Sequence, residues 1–142
     1  MSSFTTPLVV SPLPDGRRWR LFLQFCYGIG RKGSGDRITV PAGFVTDFAS
    51  IPWILWRLLL WWLPYWAKYS KAAVLHDWLY RAKEIMGKLI TRKKADKIFL
   101  ESMLVEWRHH WSGRAIAYVE YWAVRLFGWP AWHWRKDERA KQ

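Results

Sequence analysis

Residues 71–83, KAAVLHDWLYRAK, set apolar side chains at helical spacing and place His76 and Asp77 inside that pattern. A helix patterned this way buries its apolar side. A buried imidazole or carboxylate left unpaired costs about 1–3 kcal/mol. The chain is therefore constrained to bring other polar side chains against this helix. On it, His76 and Tyr80 share a face through i, i+4 spacing, while Asp77 points about 100° away.

Two other segments can supply partners. Downstream, RKKADKIF presents Asp96, with Phe99 and Met103 following as core positions. Upstream, VPAGFVTDFASIP presents Asp47 just before a helix start, where capping is its bland role. Asp15 and Asp36 sit in turn contexts that account for them. His109, His110 and His133 lie among tryptophans and arginines and read as surface or packing residues.

The 142 residues, 51% of them hydrophobic, suit one α+β domain. Residues 1–16 read as an irregular arm, given Pro7, Pro12, Pro14 and the Asp15-Gly16 turn signal. Residues 17–50 are β-rich. RRWRLFLQFCYGI and RITVPAGFVT make two strands across a Gly-rich turn, a small antiparallel sheet or hairpin. Residues 51–128 read as about four helices, near 51–63, 70–86, 92–111 and 114–127. Their signals are Ser50 and Thr91 as caps, and Pro64, Gly87, Ser112-Gly113 and Gly128 as stops. A basic tail, 129–142, follows.

The formal charge of +12 attracts polyanions, and the 13 tryptophans favour surfaces that are dry on one side and wet on the other. An anionic membrane surface, or another protein, is the expected partner. A nucleic acid ranks lowest, since no helix-turn-helix or zinc pattern is present. The run at 51–63 holds Arg57 and ends at Pro64, short of the roughly 20 residues a spanning helix needs. It reads as a core helix or as one lying in the headgroup plane. Cys26 is the single cysteine, so no internal disulfide forms. The opening MSSFTTPLVVSPLPDG lacks a basic start before a long apolar core, so no signal peptide is expected.

Two resemblances bear on His76. Phosphohydrolases of the HD class need a histidine upstream of the pair, and none precedes His76. HDWLY followed by KKADKIF instead resembles the HDxxY dyad of phospholipase A₂, most closely its compact form in parvovirus capsid lipases. That resemblance implies His76 as general base, Asp96 orienting its imidazole, Tyr80 supporting Asp96, and Asp77 ligating Ca²⁺, with Asp47 as a second candidate ligand. It covers little beyond residues 72–99. The lipases' calcium loop has no counterpart shortly before the dyad, and the disulfides of the secreted enzymes are missing.

The motifs VPAGFVTDFASIP, AAVLHDWLY and TRKKADKIFLESM, in that order, resemble a domain-of-unknown-function family of bacteriophages and prophages over roughly residues 17–130. Its distinctive polar positions correspond to Thr46, Asp47, Ser50, His76, Asp77, Tyr80, Arg92 and Asp96. Two functions are expected from these readings. One is a phage hydrolase acting on an ester or envelope substrate at a membrane. The other is a non-enzymatic virion or host-interaction protein whose His and Asp residues form a structural network. Either would act in the host cytoplasm or in the virion, with peripheral membrane association as a further expectation.

Overall fold

The structure, a computed structural model, describes residues 1–30, 35–48 and 71–134. The expected helix at 51–63, its Ser50 cap and the end of the basic tail lie outside them. Within them the α+β expectation holds: antiparallel strands come first, then helices.

Each long predicted strand breaks in two. The first yields β3 (Trp19–Leu21) and β4 (Phe25–Gly28), the second β5 (Arg37–Val40) and β6 (Val45–Thr46). Pro41 ends β5 because it has no N–H to donate to a ladder. The chain then turns through Gly43, whose N–H donates to Leu21 O at 2.8 Å. The arm at 1–16 is not irregular throughout. It supplies β1 (Ser3–Phe4) and β2 (Val10–Pro12), giving two three-stranded sheets ordered β1-β4-β5 and β2-β3-β6. Pro12 is tolerated because β2 is an edge strand. Phe4 anchors the arm against the rings of Phe25 and Tyr27, at 5.5 and 4.8 Å between centroids.

The helices are α1 (Lys71–Ala82), α2 (Arg92–Glu106), α3 (Gly113–Phe127) and α4 (Trp129–Trp134). The first stops four residues before the expected end. Lys83 adopts φ 55°, and Met86 (φ 50°) and Gly87 (φ 75°) form the tip of a hairpin between β7 (Glu84–Ile85) and β8 (Lys88–Leu89). Gly87 is therefore a turn glycine with the positive φ that a two-residue hairpin requires, not a helix stop. Thr91 caps α2 as expected, its side chain accepting from Lys94 N at 3.3 Å. The helix ends at Glu106, earlier than 111, where buried Trp107 starts a tight turn closed by His110 N to Trp107 O at 2.9 Å. Part of the expected tail is α4.

Glu106 caps α1 from a distance of 35 residues, accepting from the N–H groups of Lys71 at 2.9 Å and Ala72 at 3.2 Å. Because the end of α2 meets the start of α1 while Asp96 meets His76 and Tyr80, the two helices run antiparallel. Nine of the twelve α1 residues are buried, so α1 is the central element of the domain. Val74, Leu75 and Leu79 pack on Phe25, Tyr27 and Val40 of the sheets. Phe99, Met103 and Trp107 pack with Ala117, Ala123 and Val124 between α2 and α3. No helix among the described residues is long and apolar enough to cross a membrane.

Candidate functional site

Three helices converge on the carboxylate of Asp96, which is fully buried. Its Oδ1 lies 3.0 Å from His76 Nε2 and accepts from the Tyr80 hydroxyl at 2.7 Å. Its Oδ2 accepts from Arg125 Nη1 of α3 at 2.8 Å. Arg92 Nη1 stands 3.7 Å from Oδ2 and donates to the backbone oxygens of Val124 and Arg125, both at 3.1 Å. Arg92 thus adds a donor to two carbonyls at the end of α3, one of which, Val124 O, also accepts from Gly128 N at 2.8 Å, and it adds positive charge beside Asp96.

The imidazole is held on its faces as well as at its edge. Phe99 stacks at 4.4 Å and 27°, and the Tyr80 ring sits at 4.1 Å. Trp132 of α4 meets Tyr80 edge-on at 5.2 Å. Directly above the Tyr80 hydroxyl, the chain passes at Gly128. A Cβ there would lie 2.6 Å from that oxygen and 2.4 Å from Val124 O, so only glycine fits.

Burial is the largest influence on Asp96 and acts to raise its pKa. Hydrogen bonding and charge from His76, with the Tyr80 and Arg125 bonds, outweigh it and leave the pKa below the ordinary carboxylate value. An ionised carboxylate only accepts, so His76 Nε2 carries the proton that faces it. Burial, then Asp96, pushes the Tyr80 hydroxyl above the usual tyrosine range, which keeps it a donor. The Asp96 hydrogen bond raises the pKa of Arg125.

Of the sequence candidates, the fold brings His76, Tyr80 and Asp96 together. Asp77 is buried but turned elsewhere, its Oδ2 accepting from Arg81 Nη2 at 3.3 Å. Asp47 is exposed, in the turn after β6, where buried Thr46 Oγ1 accepts from Phe48 N at 3.1 Å and Phe48 takes φ 56°. Calcium takes six to eight oxygen ligands. Among the described residues no group of three His, Cys, Asp or Glu side chains could hold a metal ion, and Asp77 already has a guanidinium beside it.

Arg125 is the participant that sequence reasoning missed. Its signal was faint: an arginine beside the inward Val124 in the last turn of a largely apolar helix that also holds Arg114 and Glu120. Glu120 was missed too. It is buried against α2, and its pKa is pushed up to about 8 by burial and then by the charge of Glu106. Two surface clefts, of about 350 and 280 Å³, flank the β7–β8 hairpin, and none of His76, Tyr80 and Asp96 lines either.

One family model, described as "Protein of unknown function (DUF1353)", matches residues 19–124. No curated protein and no solved structure matches the chain.

Proposed function

The chain belongs to the DUF1353 family, and from that premise we propose that it is a phage-encoded, non-catalytic interaction protein whose Asp96-centred network fixes three helices relative to one another. Phage origin is supported by the order and content of the motifs VPAGFVTDFASIP, AAVLHDWLY and TRKKADKIFLESM. The protein then works inside the host cell or in the virion. The network reading is carried by one observation. Asp96 has no exposed surface, and its two oxygens accept from His76, Tyr80 and Arg125 across three helices, with Arg92 alongside. A fully satisfied polar network rigidifies a core, whereas a general base must reach a substrate proton. Only 2% of His76 is exposed.

A phospholipase A₂-like hydrolase is the second reading. It is favoured by the 3.0 Å His76–Asp96 contact with Tyr80 on the same oxygen, an arrangement that orients an imidazole. In it Asp96 holds His76 Nε2–H, and the other ring nitrogen takes a proton from water attacking an ester. Melting temperature and ester hydrolysis, measured on the parent and on His76→Ala, Asp96→Ala and Asp77→Asn, separate the two. The network reading expects a parent without esterase activity and large losses of melting temperature in the variants. A parent that hydrolyses esters, with folded but inactive His76→Ala and Asp96→Ala, would establish the hydrolase instead.

A further inference from the structure

Residues 111–129 carry an outward apolar stripe. Trp111, Tyr118, Val119, Trp122, Leu126 and Trp129 are all exposed, with Trp111 at 97%, Trp122 at 59% and Leu126 at 69%. At about 100° per residue, the members within α3 fall inside roughly one third of its circumference. The opposite side of α3 is occupied, since Ala117, Glu120, Ala123 and Val124 are buried. This is an amphipathic helix whose second apolar face meets solvent. Large apolar surface of this kind marks an interaction site.

The charge around the stripe selects its occupant. Between residues 108 and 133 the sole acid is Glu120, and it is buried. Arg108 and Arg114 are exposed near the Trp111 end, so among the described residues from 108 to 133 the exposed side chains include apolar groups and cations but no carboxylate. A second copy would bring two chains of charge +12 together across the same cationic rim. A nucleic acid would satisfy the arginines but leave Val119 and Leu126 against phosphates. Tryptophans toward both ends, aliphatic residues between them and arginines at the margin match a helix lying in the headgroup layer of an anionic bilayer. Every described helix is too short to span one.

We infer that the exposed face of α3, with Trp111 and Trp129 at its ends, docks the protein flat on anionic lipid. This goes beyond the network reading and does not depend on whether His76 is catalytic. The test is co-sedimentation of the full chain with vesicles of phosphatidylcholine alone or mixed with phosphatidylglycerol, at low and high salt. We expect capture by the phosphatidylglycerol vesicles, weakened by salt, and little capture by phosphatidylcholine alone. Trp122→Glu with Leu126→Glu should lower that affinity at least tenfold without moving the melting temperature, because both side chains are more than half exposed. Arg114→Glu should weaken capture and flatten its salt dependence. The inference is overturned if the double variant binds as the parent does, if both vesicle types capture it equally, or if neither captures it. A parent that binds no vesicle but self-associates through Trp122 and Leu126 would assign the face to a second copy. Capture by an acidic protein in place of vesicles would overturn it likewise.

Discussion

Glu120→Gln removes a carboxyl that α3 buries against α2, whose pKa burial and the charge of Glu106 push up from 4.5 to about 8. In the unfolded chain this group ionises near its ordinary value, whereas in the folded chain it keeps its proton. Between about pH 4.5 and 8 the folded state therefore binds more protons, and stability must fall as pH rises, by about 1.4 kcal/mol per pH unit. From pH 5 to 7.5 the loss reaches about 3 kcal/mol, and above pH 8 it levels off. Glu106, raised chiefly by burial in spite of the Lys71 and Ala72 N–H groups it accepts from, adds to the slope with the same sign. Glutamine keeps the shape of the protonated acid and cannot ionise. Urea unfolding of parent and variant at half-unit steps from pH 5 to 8.5 reads the difference directly. The expected result is a variant that gains steadily on the parent up to about pH 8, whatever the offset between them at pH 5. Parallel stability curves would refute the reasoning, since they would mean that Glu120 ionises in the folded state as it does in the unfolded one.

Asp96→Ala leaves His76, Tyr80 and Arg125 without their buried acceptor and should cost about 3–5 kcal/mol in denaturant unfolding. Because the folded pKa of Asp96 is lowered, its contribution is present above about pH 4 and lost as pH falls further, so the variant should lack part of the parent's acid transition. Gly128→Ala puts a methyl group 2.6 Å from the Tyr80 hydroxyl and should cost about 1–3 kcal/mol. Combining it with Tyr80→Phe should cost less than the sum of the two single changes, and strict additivity in that cycle would place the strain elsewhere. Glu106→Ala removes the cap on α1 and should cost about 0.5–2 kcal/mol, measured at pH 7 by the same unfolding assay.

Neighbouring residues in the chain carry enough information to mark strands among residues 19–46 and helices among residues 71–127. A single turn of helix puts His76 and Tyr80 on one side, and Thr91 starts α2 where an N-cap signal predicts it. The pairing of His76 with Asp96 was legible through the resemblance of HDWLY and KKADKIF to the HDxxY dyad, and the short link between α1 and α2 permits it. The turn chemistry was read less well. Gly87 closes a hairpin with Met86, because the choice between stopping a helix and turning a hairpin depends on whether Glu84–Ile85 finds a partner in Lys88–Leu89.

What only the tertiary structure decided lies farther apart along the chain. The arm strand Ser3–Phe4 exists because Tyr27 and Gly28 offer it a sheet edge. The same holds for Arg125 on Asp96, 29 residues away, and for Glu106 on the start of α1. The outward stripe of α3 and the inward Glu120 look alike in kind from sequence, since each is a residue type at helical spacing. Helical periodicity tells which side chains share a face. Which face is covered is settled by the packing of α2 against α3, a long-range event that no window of the sequence contains.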